Sequence, residues 1–336
     1  MNSRGIVPAL KACGVLAAHA HATLTPLSGG VCSDIFKAEI EDGRTVVVKR
    51  LLGRMRVAAR WSARADRAAR EAAWLKLARE VSPDLAPRVL AEAPGGRLFV
   101  MTYLDAATHP VWKNLLAAGD VDGAFAGAVG EALARIHAFT AGRADIAARF
   151  AGDETFRALR IAPFLLHAAS RNPDAAPRIR AMVADLASRK IALVHGDVSP
   201  KNILAGPKGP VFLDAETVVY GDPAFDLAFC LSHLLLKALW VRAAREAMLE
   251  AFAALRDAYL TAVAWEPPAG LSARAAPLLS ALLLARVDGK SPAPYLTETA
   301  DQDFVRRQAK AFLRAPDLSL ADIARIWSRG LAEAPK

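Results

Sequence analysis

Two periods divide the chain. Up to residue 104 the apolar positions come in short β-branched runs; after it they recur at helical spacing. Residues 35–40 read as a strand, 41–44 (Glu-Asp-Gly-Arg) as a turn, and 45–51 (Thr-Val-Val-Val-Lys-Arg-Leu) as a second strand. Asp-Gly between two such runs is a strong hairpin signal, because a tight turn needs residues that accept a left-handed backbone. A helix is predicted from about 58 to 80, with Trp61, Ala65, Ala68, Ala72 and Leu75 on one face, and Ser82-Pro83 stops it. Residues 89–93, then Pro-Gly-Gly, then 97–103 predict a second hairpin. Asp120 is placed to cap a helix reaching 139, whose apolar stripe is Phe125, Val129, Leu133 and Ile136. Helix continues to about 189. Residues 191–194 and 211–213 read as short buried strands around a polar loop, and helices follow over 227–252, 271–284 and 301–313.

Strands first and helices later predict an α+β chain: a smaller β-rich lobe over 1–104 and a larger, mainly helical lobe over 105–336. Composition agrees with a globular protein that buries a sizeable core: 336 residues, 54% hydrophobic, 23% charged. Cys13, Cys32 and Cys230 are too few and too scattered for a disulfide framework or a metal-ligand spacing, which favours a reducing, cytoplasmic setting. His19 and His21 break the short apolar stretch near the N-terminus, against a signal peptide, and residues 227–240 carry His233 and Lys237, against a membrane span. The net charge of +9 raises the question of a nucleic-acid partner.

The chemistry concentrates in residues 194–204, Val-His-Gly-Asp-Val-Ser-Pro-Lys-Asn-Ile-Leu, and in Asp214, which closes the apolar run Val211-Phe212-Leu213. Residues 221–228, Gly-Asp-Pro-Ala-Phe-Asp-Leu-Ala, follow. In this order and spacing the three segments resemble the catalytic and metal-binding loops of the aminoglycoside phosphotransferase and choline kinase-like family, small-molecule kinases with a protein-kinase-like two-lobe fold. The Asp-to-Asn separation is that of the protein-kinase catalytic loop. The resemblance spans roughly 24–290. It implies transfer of the γ-phosphate of ATP or GTP to a hydroxyl of a sugar, amino alcohol, metabolite or antibiotic. Asp197 is implied as base, Asn202 and Asp214 as ligands of Mg²⁺, and His195 and Asp226 as structural support. Phosphoryl transfer needs positioning and charge neutralisation more than covalent help, which is why two acids and an amide suffice.

The same resemblance assigns a nucleotide site in the first lobe. Lys49 would reach the phosphates with Glu71 as its ion-pair partner, the loop containing Gly29, Gly30 and Ser33 would face phosphate oxygens, and Met101, Tyr103 and Leu104 would form the hinge beside the base. Asp34 departs from the family pattern, since an acid near phosphates is unfavourable. His137 matches a Leu-Ala-x-hydrophobic-His pattern and is expected to pack under the catalytic loop.

The acceptor is the least legible part. Asp153, Glu154, Asp222, Arg286, Asp288 and Lys290 are candidate lining residues, with Asp222 equally able to cap the following helix and 285–291 equally a solvated loop. No acidic cluster of the kind an aminoglycoside would want is present, and Arg286 with Lys290 hints at an anionic group. Eleven residues between Asp214 and Asp226 leave no room for an activation segment, against a protein kinase. A non-catalytic nucleotide-binding scaffold is the alternative reading. The expected partner is a small molecule, with no nucleic acid or membrane, on a monomer or homodimer. Residues 44–80 hold eleven bases and three acids, so nearly all of the net charge lies there. Arg56, Arg60, Arg64 and Arg67 at helical spacing read as a solvated face or as an electrostatic funnel.

Overall fold

The computed structural model describes residues 3, 5–27, 33–52, 66–315 and 317–333. The early part of the helix expected from 58, together with Gly29, Gly30, Arg56, Arg60 and Arg64, lies outside them.

The N-terminal part is one antiparallel sheet of five strands in the order β1-β2-β3-β5-β4. These are β1 (Ala22–Pro26), β2 (Ser33–Ile40), β3 (Thr45–Leu51), β4 (Val89–Glu92) and β5 (Leu98–Thr102). The expected hairpins form, and Lys49 pairs with Ile35 on one side and Phe99 on the other. Side chains alternate across a strand. Val46 and Val48 therefore pack on one face beneath helix α1 (Ile6–Ala12), which periodicity did not announce, with Ile6, Leu10 and Phe36. Lys49 has the opposite parity and meets α2 (Arg67–Val81) on the other face. Asp34 stands opposite Arg50 in the β2–β3 register and pairs with it at 2.9 Å, fully buried, so its charge is neutralised within the sheet.

The remainder is mostly helical. In order come α3 (Trp112–Ala118), α4 (Gly123–Thr140), α5 (Ala144–Arg149) and α6 (Glu154–Phe156). A π-helix over Arg157–Leu166 leads into α7 (His167–Arg171), and α8 (Ala176–Ser188) follows. Two small antiparallel pairs hold the polar loops: β6 (Ala192–Val194) with β9 (Val219–Gly221), and β7 (Ile203–Gly206) with β8 (Gly209–Phe212). Last are α9 (Ala224–Trp240), α10 (Arg245–Thr261), α11 (Pro268–Asp288), α12 (Thr299–Arg314) and α13 (Leu320–Glu333).

α9 is buried on every side from Ala224 to Leu239 and forms the axis of this part, as a helix apolar all round must. α4, α10 and α11 pack around it, and α11, though long and apolar enough to cross a membrane, has 61% of its most apolar window buried. The chain leaves helical geometry at Val241, and α9 and the stretch through α10 meet at 116°, so the single helix expected over 227–252 is two. The cap of α4 is Asp122, not Asp120: its Oδ1 accepts from the N–H groups of Ala124 (2.8 Å) and Phe125 (3.1 Å). Asp120 is used otherwise because α3 ends at Gly119, in a left-handed conformation, and the Asp120 N–H closes back on the Leu115 carbonyl.

Candidate active site

Asp226, in the first turn of α9, organises the loop after β6. Its two carboxylate oxygens accept from the backbone N–H groups of His195 (2.7 Å) and Gly196 (2.8 Å), and His137 of α4 adds a third contact at 3.3 Å. Three donors satisfy a carboxylate with no solvent exposure. The other nitrogen of His137 meets the Tyr259 hydroxyl at 2.7 Å, so His137 braces the loop from below and does not face the acids above it. His195 Nε2 donates to the Leu213 carbonyl (3.0 Å) and its Nδ1 accepts the Asp197 N–H (3.1 Å), joining the loop to the end of β8. Burial pushes the His195 imidazole below its usual value, which keeps this neutral tautomer.

Gly196 is required by both backbone and space. Its φ is 80°, and a Cβ would lie 2.6 Å from the Thr217 hydroxyl, which itself donates to the His195 carbonyl. No larger residue fits between Asp226 and Thr217.

Asp197 is buried at the loop tip. One of its oxygens, Oδ2, takes the Asn202 amide (2.8 Å), the Arg160 guanidinium (2.7 Å) and the Lys201 ammonium (3.0 Å). Burial raises a carboxyl pKa, but Arg160 and Lys201 outweigh it and hold Asp197 below the ordinary aspartate range. Oδ1 takes no hydrogen bond among the described residues. Arg160 also donates to the Gly196 carbonyl (2.6 Å), so it grips both the loop and its acid.

Asp214 follows β8 with φ at 65°, the only non-glycine residue in the left-handed region among those described. This turn sends its carboxylate toward β3, where it pairs with Lys49. Lys49 also donates to Glu71 of α2 at 2.8 Å. Burial would lower the Lys49 ammonium, yet Asp214 and Glu71 more than offset it and its pKa is raised. Burial likewise works to raise Asp214, but Lys49 and Lys201 hold it well below the usual value. Glu216 stands behind the pair, half-buried, 3.7 Å from Arg67, and its carboxyl is raised by burial and by Asp214.

These side chains fit a hard cation. The Asn202 amide nitrogen donates to the Asp197 carbonyl at 3.0 Å and to its Oδ2 at 2.8 Å, so its amide oxygen is the atom that could take a cation. With the Asp214 carboxylate it forms an all-oxygen donor set of the kind magnesium takes when phosphates and water supply the rest. Among the described residues no three His, Cys, Asp or Glu side chains come together as a metal-ligand group.

The expected site residues divide into groups. Lys49, Glu71, His195, Asp197, Asn202, Asp214 and Asp226 converge on one cleft. Ser33 begins β2 with a buried hydroxyl that has no hydrogen-bond partner among the described residues. Met101, at the end of β5, and Tyr103 and Leu104 after it are half-buried, and the Lys37 ammonium sits 5.0 Å from the Tyr103 ring centre. The acceptor candidates do not stay together. Asp222 is consumed by structure, accepting the Ala224 N–H at 3.0 Å and a two-pronged pair from Arg274 at 2.7 and 3.1 Å. Asp288 faces away, holding Asn172 and Arg306 at 2.9 Å each, and Lys290 is exposed. Asp153 is half-buried with its carbonyl in the helical turn that follows, and Glu154 is exposed. Only Arg286 turns inward, where burial lowers its pKa more than Tyr295 and Asp197 raise it. Arg160, Lys201 and Glu216 had no role assigned from sequence. Lys201 and Glu216 lie inside the motifs; Arg160 is placed by the π-helix, whose one legible sign is Pro163 inside a helical run.

The model of the phosphotransferase enzyme family (APH) matches residues 23–271, more than half of the chain. The chain belongs to this family. It is a small-molecule phosphotransferase, and its fold is that of kinase-like phosphotransferases. A Thermobifida fusca protein assigned as a fructosamine-3-kinase is 20% identical, with 94% of this chain and 100% of that one covered at a TM-score of 0.54. A choline/ethanolamine kinase family protein from Mesorhizobium loti is 18% identical, covering 98% and 100%, again at 0.54. An amicoumacin kinase solved with AMP-PNP, Ca²⁺ and Ami is 12% identical, covers 94% of each chain, and reaches 0.61. At these identities the likeness is one of fold. No curated protein matches the sequence.

Proposed function

We propose that this phosphotransferase moves the γ-phosphate of ATP or GTP to a hydroxyl of a small molecule, with Asp197 as the base. The observation that carries the reading is the asymmetry of Asp197: three donors fix Oδ2, and Oδ1 is left to accept a proton from a bound alcohol. As the acceptor oxygen bonds to the γ-phosphorus, the bond to the β–γ bridging oxygen breaks, and the hydroxyl proton passes to Asp197. Two cations lower the basicity of Asp197, which suits a loose transition state where orientation matters more than a strong base.

The remaining residues neutralise and position. Asp214 and Asn202 would hold Mg²⁺, which would supply positive charge against the phosphates. Lys49, kept charged by its acidic neighbours and anchored by Glu71, would reach the phosphates in place of its contact with Asp214. The buried Ser33 hydroxyl, at the mouth of the loop containing Gly29 and Gly30, would donate to a phosphate oxygen. Met101, Tyr103 and Leu104 would flank the base. The partner is a small hydroxylated molecule, not a nucleic acid: of the described basic residues in 44–80, Lys49, Arg50, Arg67, Arg70 and Arg79 bond within the fold, and Lys76 pairs with Glu92 at the surface.

Calorimetric titration with Mg·ATP and Mg·GTP tests the division of labour. Asp214→Ala is expected to abolish magnesium-dependent nucleotide binding, while Asp197→Asn retains it, because Asp197 acts on the acceptor. Normal Mg·nucleotide affinity in Asp214→Ala would contradict the assignment.

A further inference from the structure

The side of Asp197 away from Lys49 carries cations that have no acid to serve. Arg286 of α11 is nine-tenths buried, gives one hydrogen bond to the Ser291 carbonyl (2.6 Å), and leaves its Nε without a partner. Lys237 of α9 is more deeply buried and, among the described residues, has neither a hydrogen bond nor a carboxylate. Its ammonium rests 4.8 Å from the Tyr295 ring centre and 5.2 Å from that of Trp240. The buried His233 Nε2 and the Tyr295 hydroxyl are also unpartnered. The group is contiguous with the base. Arg160, on Asp197, and Arg286 lie over the same Phe164 ring at 5.8 and 5.7 Å, and His233 packs on Phe229, which Arg160 also covers. Trp240, stacked at 4.7 Å on Tyr295, is the exposed large apolar side chain at this edge.

A buried cation without a counter-charge is costly, and so is a buried donor without an acceptor. The strain is visible in the ionisation of the group. Burial, then Lys113 and Arg286, push Lys237 down to about 8, and burial with Arg286 and Lys237 drives His233 well below its usual value. An anion would complete such an arrangement, supplying both the missing charge and the missing acceptors.

We propose that Arg286, Lys237, His233 and Tyr295 form an anion subsite in the acceptor pocket, so that the phosphoryl acceptor is a hydroxylated molecule bearing a carboxylate or a phosphate. Arg286 presents the guanidinium edge that suits either anion, Lys237 a point charge, and Tyr295 and His233 neutral donors. The Trp240–Tyr295 pair offers a ring face to the remainder of the molecule. This inference rests on the phosphotransferase reading for the word acceptor, but the subsite itself is testable without turnover.

The test is thermal unfolding of the full chain at constant ionic strength, titrated with sodium phosphate, with sodium glycerate, and with glycerol as the neutral twin. A ligand that binds only the folded state raises the midpoint saturably. At least one anion is expected to do so and glycerol is not, and the tighter of the two anions identifies the group. Arg286→Met and Lys237→Met keep the side-chain bulk; each is expected to weaken the anion at least about tenfold, the scale of one lost charge-assisted hydrogen bond. Without ligand, both variants are expected to melt no lower than the parent, since each removes an uncompensated buried charge. Mg·ATP binding should be unchanged in both, which separates this subsite from the nucleotide site. The proposal is overturned if neither anion shifts the midpoint, if the shift survives in both variants, or if both variants melt lower.

Discussion

At the scale of single residues, the proposed mechanism divides labour between the two oxygens of one carboxylate. Arg160 is the residue that most changes the chemistry expected of Asp197, because it is the largest of the charges holding that acid deprotonated. An acid with a depressed pKa loses its proton at lower pH, so catalysis that needs the carboxylate falls only as the pH drops through that low value. Arg160→Met removes the cation and raises the Asp197 pKa. The acid limb of the kcat/KM profile is therefore expected to move to higher pH. A limb that stays in place would show that Arg160 acts on the loop alone. The motif residues were legible because their chemistry depends on spacing along one loop. Arg160 was not, because its guanidinium arrives from a segment 36 residues earlier whose helical period is abnormal.

At the scale of elements, two contacts decide where the catalytic loop sits. Asp226 and His137 tie the loop to α9 and α4, and α4 in turn lies directly on α10. Gly130 makes that approach possible: a Cβ there would lie 2.2 Å from the Leu255 carbonyl oxygen, a backbone atom that cannot swing away. Gly130→Ala is expected to cost about 1–3 kcal/mol, through forced separation of the helices. Gly127, one turn earlier, would place its Cβ 3.8 Å from the Ala254 carbonyl, an ordinary contact. Gly127→Ala is expected to be stabilising by about 0.5–1 kcal/mol, because alanine is the better helix former. Chemical denaturation of the two variants checks the opposite signs; a stabilised Gly130→Ala would refute the close contact.

The hairpins, α2, α4 and α11 could be read from periodicity because their patterns are local. The break between α9 and α10 could not: residues 227–252 are apolar enough throughout that no face is distinguished. The short strands β7 and β9 escaped for the opposite reason, being three or four residues whose partners lie across a loop.

At the scale of the whole molecule, part of the charge that hinted at nucleic acid is held inside the fold, where Lys49 and Arg67 are buried beside acids. Arg67, expected on a solvated or steering face, is buried beside Glu216, a correction that follows from α2 packing onto the loop after β8. Arg70 crosses to the carbonyls of Phe150 and Val218, so the basic helix is a strap between the sheet and the helical part. Among the described residues, Arg286 and Lys237 are the buried cations for which no carboxylate partner is found, and they belong to the proposed anion subsite. The two parts meet at Lys49 and Asp214, and the proposed transfer from nucleotide to alcohol would run between that pair and Asp197. The most direct measurement is ³¹P NMR of the protein with Mg·ATP or Mg·GTP and a panel of hydroxylated small molecules, neutral and anionic. The parent chain is expected to yield a new phosphate monoester with stoichiometric nucleoside diphosphate, and Asp197→Asn to yield neither. Monoester formed by Asp197→Asn at the parent rate would contradict the account.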